Sequence, residues 1–254
     1  MNTILVLAKN TFREAIRDRV MYIILFFAAL MILSTFLLGT ISLGQEAKIT
    51  QDIGLSAISI FGVIITIFIG SRLLFKEIDR HTIYTILSKP VTRTQFILGK
   101  FIGLGLVLLV VTLIMALVFL GIVWIQGTGF KFILLQAIFL SYLEFLLLLA
   151  LAIFFSTFTS PLVTTFCTFL LFIIGHMTED LLVFAEQSQS IVFQKIINTI
   201  YYIVPNLENF NLKNEIVYNL GYSLGKFGLV LLYFLLFTGL ILFFAGLIFK
   251  KQEI

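Results

Sequence analysis

A chain of 254 residues that is 60% hydrophobic and 12% charged carries about half the charge of a soluble domain. Its mean hydropathy is +1.13, and no water-soluble core hides that much apolar surface, so lipid is the solvent for much of the chain. The net charge of +4 is no nucleic-acid footprint, because it gathers in a few clusters beside apolar runs; the single cysteine, Cys167, excludes a disulfide framework and a cysteine-based metal site.

In chain order, the first feature is "ILVLAKNTFREAIRDRV". Leu5, Ala8, Phe12, Ala15 and Ile16 recur at helical spacing, with Lys9, Arg13, Arg17 and Asp18 mostly on the other face. The pattern predicts an amphipathic helix along the membrane surface, acting either as a topology anchor or as a mechanical part. Residues 21–43 follow without a charge, too long for a signal-peptide core and lacking a small-x-small cleavage site. They predict a retained span. At 1.5 Å per residue roughly 20 apolar residues cross the hydrocarbon core, and 53–75, 101–125, 132–158, 162–178 and 227–249 qualify as well. The expectation is an all-α membrane protein of six spans in a single transmembrane domain, 1–254.

Two sets of polar residues interrupt these runs. Glu144 lies inside the fourth, where a carboxylate must face protein or a water cavity. It reads either as a polar group on a transport path or as an interhelical hydrogen bond to Ser141 or Tyr142. His176 and Glu179 stand at i, i+3, a spacing that can share a metal or can simply mark the polar end of the fifth span. Further on, Phe193, Ile196, Ile197, Ile200 and Val204 form a stripe that predicts an amphipathic helix stopped by Pro205.

Lysine and arginine placement sets the orientation. With the N-terminus cytoplasmic, twelve of the seventeen fall on the cytoplasmic side, against Lys48, Lys131, Lys195, Lys213 and Lys226 outside. The expected location is therefore a cell (inner) membrane, with both termini cytoplasmic.

The same orientation makes 76–100 a cytoplasmic elbow. "KEIDRHTIYTILSKPVTRTQFILGK" holds seven of the thirty charged side chains. Asp79 or Thr82 caps a short helix bearing Ile83, Ile86 and Leu87 on one face; Lys89-Pro90 ends it. Thr92 and Gln95 stand at capping-box spacing and restart a helix into the third span. An apolar knob ringed by charge suits a docking site for a soluble partner, or a surface helix buried in lipid headgroups.

Glu77, Thr82, Leu87, Pro90, Val91, Arg93 and Gly99-Lys100 resemble the signature between spans two and three of ABC type-2 permeases. "NTFREAIRDRV" and "YYIVPNLENFN" are similar to the six-span permeases linked with multicopper-enzyme maturation. His81 departs from the glycine usual there. The resemblance implies a coupling helix, with Glu77, Asp79, Arg80, Thr82, Ile83, Leu87, Pro90, Val91 and Arg93 docking on a separate ABC ATP-binding subunit. It also implies two permease chains paired as a homodimer or heterodimer in the bilayer. The sequence has no G-x-x-x-x-G-K-[ST], so ATP hydrolysis is expected on the partner. No catalytic residue, metal, cofactor or nucleic-acid partner is assigned. The expected function is a permease subunit of an exporter-type ABC transporter. The alternatives are a non-transporting scaffold that recruits a cytoplasmic partner, and an intramembrane enzyme built on Glu144 or on His176 with Glu179.

Overall fold

The computed structural model describes residues 3–17, 26–27, 29–31, 33, 46–79, 92–126, 131–188, 190–213 and 221–251. Its elements are α1 Thr3–Arg17, α2 Glu46–Asp79, α3 Arg93–Ile125, α4 Phe132–Ser156, α5 Pro161–His176, α6 Thr178–Gln187, α7 Ile191–Ile203 and α8 Leu224–Lys251, with a 3-10 turn at Glu208–Phe210. Among the described residues there is no strand. α2, α3, α4 and α8 are each long and apolar enough to cross a bilayer, and α5 with α6 makes a fifth such segment bent by 62°. Six spans are not reached among the described residues. Of the run 21–43, only 26–27, 29–31 and 33 are described; they are helical, and Phe27 and Met31 are wholly buried.

α4 is the axis of the bundle. It is apolar on every side, as a helix must be when neighbours surround it, and Leu147 to Ile153 are buried without a break. α2, α3, α5 and α8 all pack on it. Side-chain pairings fix their directions. Gly62 and Gly70 of α2 face Phe145 and Ala152, so α2 runs parallel to α4; Gly105 of α3 faces Leu146. Gly62 has no room for a Cβ, because the Phe145 ring occupies that space. α8 buries one stripe, including Val230, Phe234, Ile241, Ala245 and Phe249, and exposes Leu229, Leu236, Phe243 and Leu247 on the rest. That face suits lipid and is unsuited to water.

α5 is too short for the expected span 162–178. Its 16 residues reach about 24 Å, against a hydrocarbon core of about 30 Å. The chain bends at Met177 and continues as α6 and then α7. The space that α5 leaves beside α4 is filled by 204–213, which inserts Leu207, Phe210 and Leu212 into the core. The Leu207 N–H donates to the Gly175 carbonyl at 3.0 Å. α7 begins where Ser190 caps the Phe193 N–H, and it ends before Pro205 as expected. Its stripe is only partly buried, however: Ile197 and Val204 are covered, and Phe193 and Ile196 are exposed.

α1 is helical over Thr3–Arg17, the range of the expected amphipathic helix, and it packs against α3. The expected apolar stripe divides. Ala8 and Ala15 turn inward with Thr11, and Leu5 and Ile16 stay exposed. Small residues face α3 because only they allow the two backbones to approach closely.

Candidate functional site

The elbow joins α2 to α3. Glu77 and Asp79 fall on the last turn of α2. Their side chains, and Arg80, Thr82, Ile83, Leu87, Pro90 and Val91 with the short helix expected there, lie outside the described residues. The restart at Thr92 is as predicted. The Gln95 N–H donates to Thr92 Oγ1 at 3.3 Å, and the Thr92 N–H donates to Gln95 Oε1 at 3.1 Å, a closed capping box. α3 then runs unbroken from the elbow through the bundle.

The first turns of α3 are bolted to two other helices. Arg93 Nη1 donates to the Phe249 carbonyl at 2.7 Å, near the end of α8, where the exposed carbonyls of a helix C-terminus attract a cation. The Phe96 and Phe249 rings stack at 5.8 Å, and Lys100, buried to 3% exposure, places Nζ 5.7 Å from the Phe96 ring centre. On the other side α1 lies in a groove over Gly99 and Gly103. A Cβ on Gly103 would stand 2.6 Å from the Ala8 carbonyl oxygen, and one on Gly99 would stand 2.7 Å from Leu7 Cβ. The G-x-x-x-G of Gly99 and Gly103 is a short motif expected by chance in so apolar a chain; here it is the seat of α1.

The second polar site is at mid-bundle. Glu144 is 2% exposed at the middle of α4. Its partner is neither Ser141 nor Tyr142, whose hydroxyl donates to the Gly105 carbonyl at 3.2 Å. His176 provides the contact: Nε2 lies 2.9 Å from Glu144 Oε1, and Nδ1 lies 3.1 Å from Glu208 Oε2. A ring with both nitrogens against carboxyl oxygens satisfies both as the imidazolium between two carboxylates, or as the neutral ring with one carboxyl protonated. The pairing of His176 with Glu179 does not form; Glu179 Oε1 accepts from Asn206 Nδ2 at 3.3 Å. Among the described residues no group of three or more His, Cys, Asp and Glu is arranged to hold a metal.

The asparagines of "PNLENFNLK" hold Glu208 in place. The Glu208 N–H donates to Asn206 Oδ1 at 2.9 Å, Asn211 Nδ2 donates to Glu208 Oε1 at 3.0 Å, and the Asn206 N–H donates to the Tyr233 hydroxyl at 2.7 Å. The hydrogen bond from His176 holds the Glu208 carboxyl below the usual carboxylate range, and Asn211 and Lys213 add to this against the opposing effect of burial. Burial pushes the Lys213 ammonium down, opposed by Glu144 and Glu208. Beside the chain lies a cavity of about 10 Å3, close to the room one water needs, lined by Ser59, Ser141, Glu144, His176 and Lys213 among others. A separate cleft of about 310 Å3 between α4, α5 and α8 is lined by apolar residues such as Phe154, Leu171, Pro205 and Phe237 and offers no side-chain anchor for a polar ligand.

Long apolar helices around a largely buried central one define a multi-pass helical membrane protein. The sequence model of the ABC-2 family transporter protein matches residues 5–254, and the chain belongs to that family. It is therefore of the class of membrane permease subunits of ABC transporters, which pair with an ATP-binding subunit. No curated protein matches the chain.

Proposed function

We propose that the chain is the non-catalytic, membrane-embedded half of an exporter-type ABC complex, with both termini and the elbow facing the cytoplasm of a cell or inner membrane. Two copies, or this chain and a related one, pair in the bilayer, and the separate ATP-binding subunits dock on residues 79–96. The observation that carries this reading is the bolted start of α3. A push on the elbow enters a capped helix tied on one side to α8 through Arg93 and Phe249, and on the other to α1 through Gly99 and Gly103. Such a block moves as one body, as a hinge or shear element does. α1 then belongs to the transmission as well as to the topology. Its exposed Leu5 and Ile16 are placed to rest on the membrane surface.

The test is Leu87→Asp, together with Glu77→Lys, in the complex purified with its ATP-binding subunit. The proposal expects ATP hydrolysis uncoupled from transport in both, with the chain still inserted. Undiminished transport-coupled hydrolysis in both variants would reject residues 79–96 as the docking segment.

A further inference from the structure

We propose that Glu144, His176 and Glu208 form a releasable charge clasp that seats the 204–213 segment on α4 and closes the water-sized chamber beside Glu144. The clasp joins three parts of the fold that the backbone leaves separate: the middle of α4, the end of the short α5, and the 3-10 turn. The groups facing His176 are Glu144 from α4 and Glu208 and Lys213 from the segment itself, with the Phe172 ring of α5 at 4.8 Å. α6 contributes Glu179 and α8 contributes Tyr233, both through Asn206; α2 contributes the uncharged Leu55 and Ser59 to the chamber wall. Two carboxylates, one imidazolium and one ammonium sum to zero charge, so the seated state buries no net charge, and lifting the segment separates the pairs.

Stability alone does not call for this chemistry. Apolar residues of similar volume usually hold a buried seam as well as an ion chain does, and the segment already inserts Leu207, Phe210 and Leu212. What the charges add is a seam that two-state chemistry can break, since neutralising either end removes the reason for the other to stay. The clasp is independent of the docking proposed for the elbow.

The test uses the full chain in lipid nanodiscs, where a thiol reagent reaches both faces, so neither orientation nor the ATP-binding subunit enters the result. In a Cys167→Ser background, Ser59→Cys reports on the chamber and Ser156→Cys, buried in α4 far from the clasp, reports on the bundle. Glu208→Gln and His176→Gln are expected to raise the rate of maleimide reaction at position 59 at least tenfold and to leave position 156 unchanged. Equal rates at position 59 with and without these substitutions would overturn the clasp. Parallel increases at positions 59 and 156 would also overturn it, because they would show loosening of the whole bundle instead of release of one segment.

Discussion

The start of α3 and the middle of α4 are held by opposite means. At the elbow, α1 and α3 meet through glycine and alanine, with one arginine tying the block to α8; beside Glu144, the 204–213 segment meets α4 and α5 through a chain of charges. Close packing of small residues resists deformation, which suits a part that transmits force. A buried ion chain is satisfied only when all its members are in place. The same bundle thus has one joint built to stay shut and another whose integrity depends on protonation and on every partner being present.

Removing one member of the ion chain is the most severe way to break this contrast. His176→Leu leaves Glu144 and Glu208 without their shared partner, and we expect a loss of about 3–5 kcal/mol in the unfolding free energy of the purified chain in detergent. Replacement of Glu144, His176, Glu208 and Lys213 together by leucine tests the point: it is expected to restore most of that loss, because no lone charge remains. At the other joint, Gly103→Val forces a side chain against the Ala8 carbonyl. It is expected to cost about 1–3 kcal/mol and to leave α1 open to protease in a digestion time course. Thr92→Ala removes a solvent-exposed cap and is expected to cost about 1 kcal/mol, read by the same unfolding measurement.

The smallest effect is that of pH on the ion chain. The Glu208 carboxyl is held below its ordinary value by His176. Its contribution to stability is complete above the ordinary carboxylate range and is lost as pH falls through the depressed folded value. Melting temperature is therefore expected to fall on acidification in the native chain, with that part of the fall missing in Glu208→Gln.

How far the sequence reveals this follows from range. Runs of apolar residues locate α2, α3, α4 and α8, and Thr92 with Gln95 marks the start of α3, because those signals sit within a few neighbouring residues. Pro205 marks the stop of α7 for the same reason. The shortness of α5 is harder to read, since Glu179 and Asp180 blur its end and the compensating segment lies some thirty residues on. The clasp is invisible at short range. His176 is 32 residues from each of its carboxylates, and no spacing rule pairs residues across a bend and a loop. The one available signal was cost: a carboxylate at mid-span demands a partner, and only two histidines exist in the chain. Gly99 and Gly103 were visible as a motif, but the motif alone does not say which helix it receives.

The most direct test of the account is the side of the membrane on which the elbow lies. In the Cys167→Ser background, Leu87→Cys is treated in intact cells with a membrane-impermeant maleimide, and again after permeabilisation. Position 87 is expected to stay unmodified in intact cells and to react once the cytoplasmic face is opened. Modification in intact cells would place the elbow outside and contradict both the orientation and the docking of an ATP-binding subunit there.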